Sequence, residues 1–205
     1  MSQVMSTIFT VGHSTLTIEA LQDRLAAHGV QAVADVRTSP YSQRLSWFNR
    51  ESLSASLKQV DVSYVFLGDE LGGRPSGRGL MGPDGRALYR EMAKTTKFRQ
   101  GIKRLLDGSD RMKICLLCSE QDPMKCHRAL LVARQLSLEG VPVIHILGSG
   151  QTETHGEFER RLLDTTNMAP ELTRSDEEIL NEAYEKQSAR VAYKESRTEG
   201  GDVGQ

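Results

Sequence analysis

Two short runs of almost continuous apolar residues, at 114–117 and 141–147, constrain the fold of this chain more than any other feature. The segment between them, 124–138, carries apolar residues at helical spacing and is followed by Gly140 as a stop signal. Strand, helix and strand in this order predict a parallel β-α-β unit, because crossover helices cover both faces of a parallel sheet. We therefore expect an α/β protein with a mostly parallel sheet.

The preceding sequence continues the alternation of strands and helices. Further strands are predicted at 7–11, 30–36 and 62–67, and the run 114–117 belongs to a strand over 112–118. Further helices are predicted after the capping residues Thr17 and Asn49 and over residues 88–106. Together these elements predict a three-layer α/β/α domain of Rossmann-like or rhodanese-like type over residues 1–169.

The last part of the chain, residues 170–205, differs in composition. After Pro170 it is rich in charge and poor in large apolar residues. This predicts an exposed, charged helix around 176–193 that ends in a flexible tail.

Charge and cysteine content narrow the class of protein. Lys and Arg number 26 against 27 Asp and Glu, and the net charge of -1 lacks the basic footprint of a dedicated nucleic-acid binder. There is no apolar run of about 20 residues and no signal-peptide pattern. The three cysteines, at 115, 118 and 126, make a poor disulfide framework for a secreted protein. We expect a cytoplasmic protein that does not contact membranes.

Polar side chains follow three of the predicted strands. His13 and Ser14 come after the first strand, and Asp35 and Arg37 come at the end of the second. The segment 118–128 follows the fourth strand. Because ligands bind outside the carboxyl ends of parallel strands, we expect these three loops to open on one shared crevice.

The segment 118–128 is the most specific of the three. Asp122 can cap the following helix and Pro123 suits its first turn, which brings the second half of the segment to the positive end of that helix. A thiol near a helix N-terminus and a basic side chain has a lowered pKa, which makes Cys118 a candidate nucleophile. The carboxylates of Glu120 and Asp122 act on that pKa in the opposite direction.

Several short motifs of this chain resemble those of one known family. They are Gly12-His13-Ser14, Asp35-Val36-Arg37 with Pro40 and Ser42, Phe48-Asn49, Tyr64 with Leu71-Gly72-Gly73, and Leu117-Cys118-x-Glu120-x-x-Pro123-x-x-Cys126-His127-Arg128. The family is the one called domain of unknown function 488, and the similarity spans about residues 7 to 150. The resemblance implies an α/β fold and no settled activity. Its motif residues match here at His13, Ser14, Asp35, Arg37, Cys118, Glu120, Cys126, His127 and Arg128.

A weaker resemblance is to rhodanese-like sulfurtransferases. The counterparts are the strand end 35–37 and the strand, cysteine loop, helix and strand over 118–148. Glu120 and Asp122 depart from that pattern, because a loop that receives a persulfide or phosphate should be rich in amides and cations. Sulfur transfer is therefore an alternative function.

We favour a small enzyme, a thiol- or metal-dependent transferase or hydrolase, that acts on a phosphorylated or nucleotide-like substrate. The candidate catalytic residues are Cys118, Glu120, His127 and His13. The candidate substrate-binding residues are Ser14, Asp35, Arg37, Arg74 and Arg128. For the pair Asp35 and Arg37, a purely structural role as a buried ion pair is an equal alternative.

Two further functions stay open. The first is a zinc or iron site formed by Cys118, Cys126 and His127. The second is a nucleic-acid-binding module, in which Trp47 and neighbouring arginines lie beside the glycine-rich loop 72–85.

Overall fold

The computed structural model describes residues 6–77, 79–171 and 173–195, so the expected flexible tail from residue 196 lies outside the described residues. Its strands are β1 (Ile8–Gly12), β2 (Ala32–Asp35), β3 (Ser63–Phe66), β4 (Ile114–Cys118), β5 (Val143–Ile146) and β6 (Thr152–Thr154). They form a sheet in the order β3-β2-β4-β1-β5-β6. The first five strands are parallel, and β6 pairs antiparallel with β5. The expected α/β fold with a mostly parallel sheet is confirmed.

Helices connect most of these strands. They are α1 (Ile18–Ala27), α2 (Arg50–Lys58), α3 (Gly68–Leu71), α4 (Tyr89–Lys94), α5 (Thr96–Ser109), α6 (Arg134–Leu138), α7 (His155–Thr166) and α8 (Asp176–Val191). Within the described ranges, no helix has the length and apolar content needed to cross a membrane.

Two apolar clusters lie on opposite faces of the sheet. The leucines of α1 and α2 pack on one face against Val11 and Leu117, while α5 to α8 pack on the other face with Ile8 and Leu116. Side chains alternate across a strand, so neighbouring residues of β1 and β4 enter different clusters. This produces the three-layer arrangement that the apolar strands predicted.

Helix starts follow the sequence only in part. Thr17 caps α1 through a hydrogen bond from the Ala20 N–H, as expected. Asn49 occupies the N-cap position of α2, but its side chain accepts from the Ser42 N–H instead, at 2.7 Å. The single helix expected over 88–106 is wrong, because Thr95 is extended there and its hydroxyl caps a new helix, α5.

The single helix expected over 124–138 is also wrong. Asp122 and Pro123 begin a 3-10 turn, and Cys126 is then extended, with φ -133° and ψ 135°. The helix proper starts after Cys126 with a π-helical segment (Arg128–Ala133) that continues into α6. The extended backbone at Cys126 interrupts the helix directly before this segment, and π-helical segments are frequent at functional sites.

The carboxyl-terminal part is more closely packed than the sequence indicated. Strand β6 and helix α7 were not predicted. Helix α8 buries Ile179, Ala183 and Tyr184, so it is not the wholly exposed helix that its charge suggested. Gln187 of α8 also donates a hydrogen bond of 2.8 Å to the carbonyl of Met124. The last helix therefore supports the turn that precedes Cys126.

The order of the strands creates a crevice at the carboxyl end of β4. The chain leaves β1 and β2 toward the helices α1 and α2 on one face, and it leaves β4 toward α6 on the other face. Strand β4 lies between β1 and β2, so the connection that leaves β4 and the connections that leave its two neighbours run to opposite faces of the sheet. Such a point of divergence is where ligands bind in open α/β sheets.

Candidate functional site

The three predicted loops meet at the end of β4. In the sheet register, Gly12 is the partner of Cys118 and Asp35 is the partner of Leu117. Beyond the sheet, the His13 N–H donates to the Cys118 carbonyl at 2.9 Å. The loops therefore leave the sheet side by side, as expected for parallel strands.

A crevice of about 180 Å³ opens at this edge. Its lining includes Arg37, Thr38, Ser39, Gly73, Arg74, Tyr89, Cys118, Ser119, Glu120, Lys125, Cys126, His127, Val191 and Tyr193. Six of the residues singled out from the sequence lie together here: Arg37, Arg74, Cys118, Glu120, Cys126 and His127. His13, Ser14, Asp35 and Arg128 are not part of the lining.

Two thiols and one imidazole form the floor of the crevice. The Sγ atoms of Cys118 and Cys126 and a ring nitrogen of His127 all lie within 4.8 Å of one another. The Cys118 Sγ is 3.7 Å from Nδ1 of His127. Both cysteines are free thiols, exposed by 4% and 1%. Cys115 points to the opposite face of the sheet, into the apolar cluster.

Backbone contacts decide the tautomer of His127. Its Nε2 lies 2.9 Å from the carbonyl oxygen of Val36. A carbonyl can only accept, so Nε2 carries the proton and Nδ1 presents a lone pair to the thiols. Gly73 packs against the imidazole, where a Cβ would lie 2.7 Å from Cγ of His127.

Replacing Gly73 with Ala is expected to push the His127 ring off its hydrogen bond to Val36, because the new methyl group would also lie 2.8 Å from Nδ1. Overpacking of this kind costs about 1–3 kcal/mol. Urea denaturation would measure the loss, and the alkylation rate of Cys118 would report the displaced imidazole. Gly156→Ala is the matched control, since nothing lies within 4 Å of its Cβ position. Equal behaviour of the two variants would contradict the expectation.

The two thiols differ in their readiness to ionise. The pKa of Cys118 is raised well above its usual value by its hydrogen bond to Cys126 and by burial. Burial opposes the ionisation of Cys126, but the hydrogen bond from Cys118, the charge of Arg128 and the contact with His127 outweigh it, so its pKa is well below the usual value. The two thiols therefore ionise as a pair, in which the Cys118 S–H donates to the sulfur of Cys126.

His13, Asp35 and Arg37 form a second polar cluster on the face that carries α1 and α2. The Asp35 carboxylate accepts from Arg37 Nη2 at 2.6 Å and from the Tyr64 hydroxyl at 2.8 Å. Arg37 Nη1 also donates to Nε2 of His13 at 3.2 Å. Arg37 alone of these four residues reaches the crevice lining. Asp35, Tyr64 and His13 position its guanidinium group.

Both ring nitrogens of His13 are engaged. Its Nδ1–H donates to the carbonyl of Ser14 at 2.9 Å, and its Nε2 accepts from Arg37. Burial, and next the charge of Arg37, lower the pKa of His13 to about 4. His13 is a neutral, buried ring stacked on Phe48. The Ser14 N–H, for its part, donates to the carbonyl of Ser119.

Arg128 lies under the loop that follows β4. It is fully buried, and its guanidinium donates to the carbonyls of Glu120 and Gln121. Gly12 lies against the same loop, and a Cβ there would overlap the Glu120 carbonyl. Arg128 thus fixes the backbone of the loop and contributes charge to the thiols, and it lies beneath the crevice rather than in its wall.

The rim of the crevice contains residues that no sequence motif indicated. Tyr89 is the first residue of α4, and Lys125 ends the 3-10 turn. Val191 and Tyr193 belong to the carboxyl-terminal segment, which is held by a hydrogen bond from the Ala87 N–H to the Tyr193 carbonyl at 2.9 Å. Packing between distant parts of the chain places Tyr89, Val191 and Tyr193 at the rim. Lys125 is different, because it directly precedes Cys126 in the sequence and could have been found from that motif.

Arg74 lies at the rim of the crevice, whereas Trp47 lies outside its lining. The Arg74 guanidinium stacks over the ring of Tyr193, 5.0 Å from its centroid, at the crevice rim. Trp47 donates its ring N–H to the Leu16 carbonyl and does not line the crevice. The aromatic residue proposed for nucleic-acid contacts is therefore separate from the thiol cluster.

Fold and site together define a parallel α/β protein with a thiol and imidazole centre at the carboxyl edge of its sheet. The family model described as Domain of unknown function DUF488 matches residues 17–135, more than half of the chain. The chain belongs to this family. The match includes Asp35, Arg37, Cys118, Cys126 and His127, whereas the Gly12-His13-Ser14 motif precedes it. No curated protein and no solved structure matches the chain.

Proposed function

We propose that this protein is an enzyme that binds a small anionic substrate in the crevice and acts on it with the centre formed by Cys118, Cys126 and His127. One observation carries the proposal. The two thiols and the Nδ1 lone pair form the floor of a crevice whose lining includes the exposed cationic side chains of Arg74 and Lys125. Cations on the wall bind an anion, and the floor supplies the reactive groups.

The size of the crevice limits the substrate. Its volume is about 180 Å³. Sites for larger ligands typically enclose about 300–1,000 Å³. The volume supports a small phosphorylated or carboxylated molecule over the nucleotide-like ligand that the sequence also allowed.

Cys118, His127 and Glu120 supply nucleophilic chemistry and proton transfer in this proposal. His127 Nδ1 accepts the proton of Cys118, whose Sγ lies 3.7 Å away. Glu120, exposed at the crevice, exchanges protons with the substrate or with water. These roles fit a hydrolase or a transferase.

The thiols also support a cytoplasmic location. Cys118 and Cys126 lie close together as free, buried thiols at a site whose proposed chemistry needs both sulfurs unpaired. Thiol pairs of this kind persist in a reducing compartment, whereas oxidising compartments favour disulfides. We propose the cytoplasm on this basis.

Phosphate titration tests the anion-binding part of the proposal. Phosphate is expected to raise the melting temperature, and Arg74→Met and Lys125→Met are each expected to weaken its binding by about 10-fold, the equivalent of about 1.4 kcal/mol. Arg44→Met is the control, because Arg44 is exposed and lies outside the crevice lining. Turnover would then be screened on small phosphomonoesters. Equal phosphate affinity in all three variants and the original protein would overturn the proposal.

A further inference from the structure

We infer that Cys118, Cys126 and His127 form a binding site for Zn²⁺, with a fourth coordination position that opens into the crevice. The inference rests on the proposed function and gives its reactive centre a different chemistry, in which the thiols and Nδ1 of His127 act as metal ligands instead of nucleophile and base. It separates a metal-dependent enzyme from a thiol-dependent one, a choice that the sequence left open.

The spacing of the donor atoms fits tetrahedral zinc. Zn–S bonds of about 2.3 Å and Zn–N bonds of about 2.0–2.1 Å at a tetrahedral angle place sulfur and nitrogen about 3.6 Å apart. The distance between Cys118 Sγ and His127 Nδ1 is 3.7 Å. The Cys126 Sγ lies within 4.8 Å of both atoms, so small side-chain rotations complete the set.

The surroundings of His127 are those of a metal ligand. In protein metal sites, a coordinating imidazole typically donates its second ring N–H to a carboxylate, a backbone carbonyl or water. His127 does so through Nε2 to the carbonyl of Val36, at 2.9 Å. This contact turns the Nδ1 lone pair toward the two sulfur atoms. Gly73 lies beside the ring, where a Cβ would come within 2.8 Å of Nδ1, so glycine at this position keeps that nitrogen accessible.

The open side of the cluster distinguishes it from a structural zinc site. Structural sites surround the ion with four protein ligands, whereas catalytic sites use three and leave one position for water or substrate. Here three donors lie on the floor of a crevice whose lining also includes Glu120, Arg74 and Lys125. An ion in this place would supply Lewis-acid chemistry next to an anion-binding wall.

Charge balance is also favourable. Each thiol that binds Zn²⁺ gives up its proton to the solvent, so two thiolates neutralise the two charges of the ion. The complete cluster is then neutral, which limits its repulsion by the buried guanidinium of Arg128. The ligand set of two sulfurs and one nitrogen prefers zinc over magnesium or calcium, which take oxygen ligands.

Metal analysis of the full-length protein, purified without chelator, tests the site directly. The expected content after incubation with zinc sulfate is about one equivalent, and cobalt substitution should produce the near-ultraviolet charge-transfer absorption of thiolate ligands. Cys126→Ser and His127→Gln are expected to weaken zinc binding by about 10-fold or more. Cys115→Ser is the matched control. Cys115 is a buried cysteine of β4, the strand that ends at Cys118, and its side chain lies on the opposite face of the sheet.

A measurement on the unmodified protein avoids any failure of a variant to fold. Alkylation of Cys118 and Cys126, read peptide by peptide, is expected to be slow in the zinc-loaded protein and faster after chelation. Less than about 0.1 equivalent of zinc, together with alkylation that does not respond to chelator, would overturn the inference. Phosphate binding by the metal-free protein separates the two proposals. If Arg74 and Lys125 still bind phosphate while zinc does not bind, the metal site fails and the proposed function stands.

Discussion

Acidification from about pH 7.5 to about pH 5 is expected to lower the free energy of unfolding by about 4 kcal/mol. Two buried histidines account for this loss. Burial, and then Arg37, lower the pKa of His13 to about 4, and burial, and then Arg134, lower the pKa of His155 to about 4. Both residues are only 4% exposed in the folded protein. In the unfolded chain, a histidine has a pKa of about 6.5.

The sign follows from the proton count. Between about pH 6.5 and pH 4 the unfolded chain binds protons at His13 and His155 that the folded protein does not bind, so stability falls as the pH falls. At pH 5, each histidine contributes a loss of about 2 kcal/mol relative to neutral pH. His145, whose pKa is also well below the usual value because of burial and of His155, acts in the same direction.

A chain of hydrogen bonds explains why His155 resists protonation. The Tyr184 hydroxyl donates to Glu159 at 3.0 Å, so its oxygen accepts the Nε2–H of His155 at 2.9 Å. His155 Nδ1 then accepts from His145 Nε2 at 3.0 Å, and His145 Nδ1 accepts from the Thr10 hydroxyl at 2.8 Å. A proton added to His155 Nδ1 would face the N–H of His145, and both rings are buried.

Urea denaturation at several pH values between 7.5 and 5.0 measures this dependence. His155→Phe is expected to remove one of the protons that the unfolded chain binds and the folded protein does not. The variant should still fold, because a phenyl ring can stack on Phe158 as the imidazole does. The slope of stability against pH should fall by up to about 1.4 kcal/mol per pH unit in this variant. An unfolding free energy that is constant between pH 7.5 and 5.0 would show that these histidines are not buried in the neutral form.

Replacing Arg128 with Met is expected to destabilise the protein by roughly 2–6 kcal/mol, since two buried carbonyls lose their donors at about 1–3 kcal/mol each. Those carbonyls belong to Glu120 and Gln121, in the loop that carries the crevice wall. The same change removes a positive charge from the neighbourhood of Cys126 and should raise the pKa of that thiol. Urea denaturation and the pH dependence of alkylation measure the two effects.

Two further variants identify the cause of that loss. Arg128→Lys keeps the charge but lacks the fork of N–H groups that reaches both carbonyls, so an intermediate stability is expected. Lys125→Met, at an exposed cation nearby, should change the unfolding free energy by no more than about 0.5 kcal/mol. If Arg128→Met were as stable as Lys125→Met, the structural role of the buried guanidinium would be wrong.

The position of Arg128 also illustrates how a sequence motif can mislead. Cys126, His127 and Arg128 are consecutive, and the sequence suggested that His127 and Arg128 both act on the substrate. The structure separates them, because the extended backbone at Cys126 precedes a π-helical segment and sends the arginine under the loop. Cys126 and His127 reach the crevice, and Arg128 acts on them from below.

The helical boundaries show a similar limit. Thr95 ends one helix and caps the next within a segment whose apolar spacing is continuous enough to read as a single helix. Helix α8 is charged along most of its length, yet it buries Tyr184 against the core. In both places the local composition is compatible with two structures, and packing against distant residues selects one of them.

The sequence by itself determined the alternation of strands and helices, the parallel sheet and the family, because apolar periodicity and short motifs are local properties of the chain. It also indicated that Cys118, His127 and Arg37 would meet at one edge, since parallel strands end on the same side. Only the tertiary structure decided that His13 and Asp35 hold Arg37 from the other face, and that Cys126 lies beside Cys118 and His127. Side-chain direction, burial and the charges that surround a thiol depend on residues far apart in the chain, and no local pattern encodes them.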